Sequence, residues 1–454
     1  MGFDLRRIRA DFPILQRRIA TADGKRMPLV YMDHGSSTHA PTPVLQAVQK
    51  LCSESYANVH RGNHTLSQES SQLFEDAVET LGRFVGANPE TQPVVLGSNT
   101  TSSLDLAAHL VDHKRGRTLT TLSEHHSNDL PHRRRGDVLH AEVDEDGHIL
   151  LDDVEAKLHK RFARKPVKLL AVTGASNVTG IMPPVHKLAR LAHDHGARIL
   201  VDAAQLYAHA PIDVKSADHP EHIDFLAAAG HKSYAPFGAS FLVAPRDVLD
   251  AAPPYMPGGG TVQWVTQDSV LFSKGPDRHQ GGTPNIVGTV AFAAATRYLA
   301  AAGMENVRDH EEKLVYQALR RFAELEETHG VHLLGPRDSG AAGEKVGVFA
   351  FLIPGRTHGE SSRLLDRQYG IATRNGCFCA HPLLHRLLKL GDTPQWTDKI
   401  TRGEPVELPG ATRATFGIYN TEAEVDFLAK AVAAIAHGDM AHSAPHAAMV
   451  AEVS

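Results

Sequence analysis

Through the middle of the chain, short and mostly apolar runs alternate with segments of helical periodicity. An amphipathic helix is predicted for residues 185–195, between two of these runs. Strands are predicted for residues 94–96, 118–122, 167–172, 197–201, 223–226 and 239–243. Apolar strands that alternate with amphipathic helices are typical of a mostly parallel sheet covered on both faces. The pattern therefore predicts an α/β fold with ligands bound at the carboxyl ends of the strands.

The pattern changes at about residue 286, where long helical stretches begin. A helix is predicted for 287–302 and a strand for 346–353, and the sequence TEAE at 421–424 forms a capping-box pattern before another helix. These elements predict a smaller α+β domain. We expect an N-terminal segment (1–28) that packs with the small domain, a large domain (29–286), the small C-terminal domain (287–438) and a disordered tail (439–454).

The composition is that of an ordinary globular chain and excludes several classes of function. Its 454 residues are 42% hydrophobic and 22% charged, with a formal net charge of -5. This balance is unlike that of a basic nucleic-acid-binding protein, and no apolar run approaches the length of a membrane-spanning helix, about 18 residues. The N-terminus lacks the apolar core of a signal peptide. Three cysteines are too few for a disulfide framework. We therefore expect a cytoplasmic protein with no nucleic-acid or membrane partner.

Histidine is abundant, with 29 residues, but its spacing matches no metal-binding motif. The segment 310–314 (HEEKL) lacks the second histidine of a zinc-protease helix. The segment 377–379 (CFC) is one residue too short for a zinc knuckle, and the chain has no second pair of cysteines. We therefore expect no metal site.

Lys232 lies in the segment 229–234 (AGHKSY), between two predicted buried strands. A lone lysine is most often a solvated surface charge. This one follows an apolar strand and precedes a turn (236–239, PFGA) into the next, a context that predicts a pocket. A desolvated lysine loses its proton readily and can form a Schiff base with a carbonyl compound.

Candidate partners for this lysine also follow predicted strands. Asp202 comes directly after one strand, and Gln205 follows three residues later. An aspartate in such a place is otherwise a helix or turn cap. The segment 124–128 (EHHSN) follows another strand and offers the flat imidazole ring of His125.

Small hydroxyl residues at a helix N-terminus complete the set. The segment 98–102 (SNTTS) follows a predicted strand and precedes an apolar helix, so that Thr100 and Thr101 place free backbone N–H groups at the helix start. Such clusters are usually ordinary helix caps. Pyridoxal phosphate needs a lysine, an acid for its pyridine nitrogen, a phosphate site and a group stacked on its ring. Taken together, these residues and their order along the chain predict a site for that cofactor.

With these residues in place, the chain resembles the class V aminotransferase superfamily of pyridoxal-phosphate enzymes of fold type I. Within it, the sequence is most similar to group II cysteine desulfurases and selenocysteine lyases. The similarity spans residues 3–436 and includes the motifs IRADFP at 8–13, YMD at 31–33, NVHRG at 58–62, HTLS at 64–67, SNVTG at 176–180 and GTPN at 282–285. It implies a large domain built on a mostly parallel seven-stranded sheet with helices on both faces, and a smaller α+β C-terminal domain.

The resemblance also implies a role for each candidate residue. Lys232 would carry pyridoxal phosphate as a Schiff base, Asp202 would pair its pyridine nitrogen, His125 would stack on its ring, and Gln205 would contact its phenolic oxygen. The phosphate would be bound by Thr100, Thr101 and His231, together with Thr283 of a second subunit. The substrate would be bound by Asn177, which also lines the cofactor site, and by Arg374, Arg413 and His60, the last reaching into a neighbouring site. These roles imply an obligate homodimer.

Cys379, in the segment 374–382 (RNGCFCAHP), occupies the position of the desulfurase nucleophile. The resemblance implies conversion of L-cysteine or L-selenocysteine to L-alanine, with a persulfide formed on Cys379. The thiolate is the reactive form, and a nearby cation such as Arg374 would favour it. A free cysteine is otherwise often a small buried apolar residue. The expected partners are a small amino-acid substrate and a sulfur acceptor, either a protein or a small-molecule thiol.

Several positions differ from the desulfurase pattern. Cys377 replaces a usual histidine, Ala229 replaces a serine, and Ser102 and Gln280 replace glutamates. The segment 380–412 is also longer than in those enzymes. These differences leave alternatives open: a C–S lyase, epimerase or transaminase in which Cys379 is not the nucleophile, a persulfide relay or reversible disulfide between the two thiols, and a cofactor-binding scaffold without catalysis.

Overall fold

The structure, a computed structural model, describes residues 3–111, 116–159, 165–391, 394–406 and 408–438. The tail predicted at 439–454 lies outside the described residues. The helices are α1 (Leu5–Ala10), α2 (Thr42–Lys50), α3 (Thr65–Phe84), α4 (Thr100–Leu110), α5 (Leu130–Arg135), α6 (Leu151–Leu158), α7 (Val185–Asp194), α8 (Arg246–Ala251), α9 (Ile286–Ala302), α10 (Met304–His329), α11 (His358–Tyr369), α12 (His381–Leu387), α13 (Pro394–Thr401) and α14 (Glu422–His437). The strands are β1 (Arg18–Ala20), β2 (Arg26–Pro28), β3 (Val30–Tyr31), β4 (Val94–Gly97), β5 (Arg117–Thr121), β6 (Val138–Ala141), β7 (Val167–Thr173), β8 (Arg198–Asp202), β9 (Phe225–Ala229), β10 (Ser240–Val243), β11 (Val262–Val265), β12 (Val270–Phe272), β13 (His332–Leu334), β14 (Val348–Leu352), β15 (Ile371–Ala372), β16 (Arg374–Gly376) and β17 (Ala411–Thr415).

Seven strands of the described chain form the large sheet, in the order β4-β10-β9-β8-β7-β5-β6. The pairs from β9 to β6 are parallel. Strand β10 is antiparallel to both of its neighbours, β9 and β4. The predicted mostly parallel, seven-stranded sheet is thus confirmed. The run 223–226 was placed too early, because the strand begins at Phe225 and continues through three alanines.

Alternate residues of the central strands point into two separate apolar layers. In β8, Ile199 and Val201 join the core on one face, while Leu200 joins the core on the other. Helix α4 packs on the second face through Leu104 and Ala107. A parallel sheet covered on both faces needs apolar side chains at every position of its inner strands, which explains the uninterrupted apolar runs in the sequence.

The C-terminal region forms a second core around a smaller antiparallel sheet. Its order is β13-β14-β17-β16, and helices α10, α11 and α14 contribute buried side chains to the same cluster. The predicted capping box is present, with the Thr421 side chain accepting from the backbone of Glu424 and the Glu424 side chain accepting from that of Thr421. The predicted smaller α+β unit is therefore part of the structure.

Helix α9 packs against the large sheet. Phe292, Ala295 and Leu299 belong to the core that contains β8 and β10. In the N-terminal segment, Phe12 joins that same core, while Arg9 pairs with Glu424 of α14 at 3.0 Å. The domain boundaries at 28, 286 and 438 stay predictions.

None of the described helices is by itself both long and apolar enough to cross a membrane; α9 and α10 meet the criteria of length and composition only when joined, and they are bent by 76°.

The carboxyl ends of five strands lie at one edge of the large sheet. Strands β4 and β9 end beside the start of β10, and β5, β7 and β8 run parallel to β9. Eight of the thirteen predicted site residues lie at these ends or in the segments that follow them, namely Thr100, Thr101, His125, Asn177, Asp202, Gln205, His231 and Lys232. This edge faces β16 and β17 of the small sheet.

Candidate active site

A cavity of about 320 Å³ opens at this edge. All the predicted site residues line it except His60 and Thr283, namely Thr100, Thr101, His125, Asn177, Asp202, Gln205, His231, Lys232, Arg374, Cys379 and Arg413. Both exceptions are exposed on this chain.

Lys232 lies in a short connection from β9 to the antiparallel β10. The backbone N–H of Gly230 donates to the Ala239 carbonyl at 2.9 Å and closes the connection. Thr38 holds it from outside, with its N–H donating to the His231 carbonyl at 2.8 Å and its hydroxyl accepting from Tyr234 N–H at 2.6 Å. Burial, together with the nearby Arg413, lowers the pKa of Lys232 to about 8. An amine with such a pKa is partly unprotonated, and therefore able to act as a nucleophile, near neutral pH.

Asp202 and Gln205 form the floor of the cavity at the end of β8. Burial raises the pKa of Asp202, while the backbone N–H of Ala204 donates to its carboxylate at 3.0 Å and favours the charged form. The Oε1 atom of Gln205 is buried and has no hydrogen-bond partner in the described part of the chain. A cationic ring nitrogen beside Asp202 would stabilise the carboxylate that burial destabilises.

His125 presents its ring to the cavity in the neutral form. Its Nδ1 accepts from the backbone N–H of Ser127 at 3.0 Å, so the ring proton is on Nε2. Burial, and then the charge of Lys232, lower the pKa of His125 to about 3. Glu124 fixes this turn, with one carboxyl oxygen accepting from Thr121 and the other from Asn128, at 2.7 and 2.6 Å.

The N-terminus of α4 lies at one end of the cavity. Asn99 caps the helix in a capping box with Ser102, and the first backbone N–H groups of the helix have no carbonyl partner within it. The buried Thr100 hydroxyl also has no partner among the described residues. The Thr101 hydroxyl lies 2.7 Å from that of Ser127. These donors form a site for an anion such as phosphate.

His231 lies at this same end of the cavity. Burial, and then the charge of Lys232, lower the pKa of His231 to about 4, so the ring is neutral near pH 7. A neutral imidazole donates through only one nitrogen.

Arg413 joins the small sheet to the large one. From β17, its Nη1 donates to the Asn177 carbonyl at 2.9 Å and its Nη2 to the Ser36 hydroxyl at 2.8 Å. Nη2 also lies 3.4 Å from the carboxylate of Asp33. Burial lowers the pKa of Arg413 to about 10, which leaves a cation in the cavity wall. That cation suits the carboxylate of an amino acid.

Cys379 is exposed on a loop between the small sheet and α12. Phe378 and Cys379 both have left-handed φ angles, 55° and 54°, an uncommon conformation for residues other than glycine. The loop is held from both sides: Asn177 Nδ2 donates to the Phe378 carbonyl at 2.7 Å, and His126 N–H donates to the Cys379 carbonyl at 2.8 Å. Cys379 is therefore not the buried apolar residue that free cysteines often are.

The residues that differ from the desulfurase pattern have local structural roles. Ser102 completes the cap of α4, and Gln280 accepts from the backbone N–H of Leu96 at 2.7 Å. Cys377 is half-buried beside an apolar cluster that contains Leu383. None of these contacts closes the cavity.

Several contributors to the site were missed in the sequence. Asp33 and Ser36 contact Arg413 from almost the other end of the chain, a pairing that no local spacing reveals. Glu124 and Ser127 flank His125 in the segment EHHSN, and their polar side chains directly after a buried strand were the available signal.

A second cluster of ligand-type side chains lies away from the cavity. His193 and His222 approach Asp224 at 2.8 and 3.4 Å. The same carboxylate also contacts Arg198 at 3.1 Å and accepts from the backbone of Ile199. The group is a charge network around Asp224, and the expected absence of a metal stays a prediction.

The residues around the cavity fit pyridoxal phosphate. The cavity offers a half-buried amine with a lowered pKa at Lys232, a buried carboxylate at Asp202, a neutral flat ring at His125 and an anion site at α4. Two buried polar atoms at its wall, Thr100 Oγ1 and Gln205 Oε1, lack partners among the described residues. The fold and this set of groups define a transferase of fold type I.

Comparison with known proteins places the chain in a family. The family model of class V aminotransferases matches residues 30–428. The chain therefore belongs to the class V aminotransferase family, whose members use pyridoxal phosphate.

Curated relatives and solved structures agree with this assignment. The chain is 34% identical to a cysteine desulfurase from Haloferax volcanii, covering 94% of this chain and 96% of that protein. It is 33% identical to a probable cysteine desulfurase from Mycolicibacterium paratuberculosis, covering 96% of this chain but 59% of that longer protein. Among solved structures, the apo cysteine desulfurase from Thermococcus onnurineus superposes with a TM-score of 0.80 at 31% identity, covering 96% of this chain and 99% of the other.

Proposed function

We propose that this protein is a pyridoxal-phosphate-dependent cysteine desulfurase that converts L-cysteine, or L-selenocysteine, to L-alanine. The observation that carries the proposal is one cavity lined by a half-buried amine (Lys232), a buried guanidinium (Arg413) and an exposed thiol (Cys379). The relatives named as cysteine desulfurases, which match over nearly the whole chain, support it.

Each group has a task in that reaction. Pyridoxal phosphate, when bound, supplies the carbonyl that condenses with amines and a ring that withdraws electrons from the substrate. Lys232 holds the cofactor, and its Nζ afterwards takes the substrate's α-proton. Thr100, Thr101 and His231 bind the phosphate, Asp202 holds the ring nitrogen, Gln205 contacts the phenolic oxygen, and His125 covers the ring face. Arg413, with Asn177 and Arg374, orients the substrate carboxylate.

The sulfur transfer takes place at Cys379. Its thiolate attacks the substrate sulfur and an S–S bond forms, while the substrate's C–S bond breaks and its electron pair stays with the three-carbon skeleton. Protonation of that skeleton gives alanine, and a persulfide remains on Cys379. A protein or small-molecule thiol then accepts the outer sulfur. Because Cys379 is exposed, such an acceptor can approach it.

The test is to incubate the cofactor-loaded protein with L-cysteine and a thiol reductant and to measure alanine and sulfide together. We expect equal amounts of both, a loss of at least about a hundredfold in Cys379→Ser, and no turnover in Lys232→Ala. Cys377→Ser is the matched control and should remain active, because Cys377 packs against an apolar cluster. Pyruvate in place of alanine, or full activity in Cys379→Ser, would show a C–S lyase in which the thiol is not the nucleophile.

We further propose that the protein acts as a homodimer. His60 and Thr283 do not line this chain's cavity and are exposed, which agrees with roles in a neighbouring site. The hairpin β11–β12 supports the proposal, because it exposes Trp264, Val265 and Leu271. Exposed apolar patches of this kind mark association surfaces.

A further inference from the structure

A buried polar chain extends from the cavity floor into the small domain. Gln205 lines the cavity, and its Nε2 lies 3.4 Å from Nε2 of His209. The Nδ1 of His209 lies 2.9 Å from both carboxylate oxygens of Glu311, on α10. His209 is 3% exposed, and the Glu311 side chain is 9% exposed. A buried His–Glu pair directly behind a cavity residue has no role in the reaction steps above.

Glu311 fixes one proton of His209. An ionised carboxylate can only accept, so Nδ1 of His209 must donate. The backbone N–H of Gly347 also donates to Oε1 of Glu311, at 2.5 Å, so this oxygen is in contact with two donors. The variable that remains is whether Nε2 of His209 also carries a proton.

That second proton decides which end of the Gln205 amide faces the cavity. A neutral His209 would accept at Nε2 from the amide nitrogen, and the carbonyl oxygen would remain as the buried atom without a partner. An imidazolium would donate from Nε2 to the amide oxygen, which turns the NH2 group toward the cavity. The oxygen and nitrogen of an amide are assigned from their hydrogen-bond network, so both orientations fit the same atomic positions.

We propose that His209 is an imidazolium held by Glu311, and that this pair is a positioning device that turns the NH2 group of Gln205 toward the cofactor. The proposal rests on the proposed function, in which Gln205 contacts the ionised phenolic oxygen of pyridoxal phosphate. An ionised oxygen needs a donor, and only the second orientation supplies one. An imidazolium beside a carboxylate is neutral as a pair, which limits the cost of burial.

Other charged and titratable groups surround the pair. Arg308, Glu312 and Lys345 line a small cavity on its far side. Burial lowers the pKa of Lys345 to about 7, so this lysine is only partly charged near neutrality. His34, buried next to Tyr419, has a pKa well below its usual range through burial and through the nearby His39 and His209, and is neutral. Glu311 therefore remains the carboxylate in direct contact with His209.

The test is the pH midpoint of the visible absorption of the pyridoxal-phosphate-loaded protein, which reports the ionisation of the bound cofactor. A donor at the phenolic oxygen stabilises its ionised form and keeps this midpoint low, so loss of the donor raises it. We expect His209→Asn to raise the midpoint by about one pH unit. The asparagine still reaches Glu311 but no longer reaches Gln205. His209→Gln, whose longer amide can still donate to Gln205, should remain close to wild type.

Glu311→Gln tests the charge separately, because it keeps the shape of the contact but no longer favours the imidazolium. It should raise the midpoint in the same direction, and in the Gln205→Ala background His209→Asn should add nothing. The matched control is His279→Asn, since His279 is similarly buried, and in the described part of the chain its ring nitrogens bond to backbone atoms of Tyr255 and Leu249. Thermal unfolding of the cofactor-free variants checks that each of them folds.

The outcomes separate the two proposals. A raised midpoint in His209→Asn and Glu311→Gln, with His209→Gln and His279→Asn unchanged, supports the positioning role. An unchanged or lowered midpoint in the first two variants overturns it and leaves the desulfurase proposal intact. Wild-type protein that develops no visible band with the cofactor overturns both.

Discussion

At the scale of single residues, the pKa of Lys232 shows how burial and neighbouring charges shape the site, because the charges offset the effect of burial only in part. Lys232 has opposing neighbours: Arg413 lowers its pKa, while Asp202, Asp33 and Cys379 raise it. Burial is the largest effect, and the pKa settles at about 8 instead of the usual 10.5. An exposed lysine would be almost wholly protonated at neutral pH, and a charged lysine that is buried with no carboxylate nearby would destabilise the fold. This balance leaves a fraction of the Lys232 amine unprotonated near neutral pH.

The pKa of Lys232 predicts how fast the apoprotein takes up its cofactor. Only the unprotonated amine can attack the cofactor aldehyde, so the covalent loading rate should rise as the pH passes through about 8. We expect an increase of roughly tenfold between pH 7 and pH 9, with a plateau above. Stopped-flow absorption measures this rate. Lys232→Ala, which binds the cofactor without a covalent bond, corrects for the cofactor's own ionisation. A rate that rises only near pH 10.5 would contradict the lowered pKa of the Lys232 amine.

At the scale of elements, the strands and the residues that follow them could be predicted, because strand burial leaves continuous apolar runs. The same runs do not indicate the direction of a strand: β10 is as apolar as the parallel strands of the sheet, but it is antiparallel to both of its neighbours. Contacts across the chain could not be predicted either. Asp33 and Ser36 contact Arg413 from a distant part of the sequence, and Gln205 was recognised while His209 and Glu311 behind it were not. Pairings of this kind depend on tertiary packing, which a local pattern does not encode.

The capping box of α14, which the sequence predicts, also connects this helix to the first helix of the chain. The Glu424 carboxylate accepts from Thr421 N–H at 3.1 Å and from Asn420 Nδ2 at 2.8 Å, and it pairs with Arg9 of the first helix. The cap therefore also joins the N-terminal segment to the small domain. A change in this cap therefore affects both α14 and α1.

Loss of this cap should have a measurable effect on stability. Thr421→Ala removes the side-chain acceptor for Glu424 N–H and should lower the free energy of unfolding by about 1 kcal/mol. Urea denaturation of the cofactor-free protein measures the change. Thr421→Ser retains the hydroxyl and should differ little from wild type. Equal urea midpoints for the alanine and serine variants would show that the cap does not stabilise α14.

At the scale of the whole molecule, the cavity is lined by residues from both the large sheet and the small sheet. The large sheet supplies Lys232, Asp202 and His125, and the small sheet with its neighbouring loop supplies Arg413 and Cys379. The contact of Arg413 with the Asn177 carbonyl joins them. In the proposed dimer a third contributor, Thr283 of the second subunit, would complete the phosphate site.

The proposed exchange of Thr283 between subunits predicts complementation. Thr283→Asp places a carboxylate against the phosphate and should abolish alanine formation, as Lys232→Ala does. In a mixed dimer of the two variants, one site has both an intact lysine and the other subunit's intact threonine. Differently tagged chains, expressed together and purified for both tags, should regain roughly half of the wild-type activity per dimer. If the mixed dimer is as inactive as its parents, Thr283 serves its own chain and the shared site is refuted.

The tightly closed connection 230–239 has a consequence for how this chain can change in length. It passes directly from β9 to β10, with Gly230 and Ala239 bonded to each other and Thr38 bonded to it from outside. An inserted residue there would displace the Lys232 amine relative to the other residues that line the cavity, such as Asp202 and His125. The segment between Cys379 and β17 is longer and already carries two helices, α12 and α13. We therefore expect inserted residues to be tolerated better in the segment that follows Cys379 than in the connection 230–239, which must keep its length.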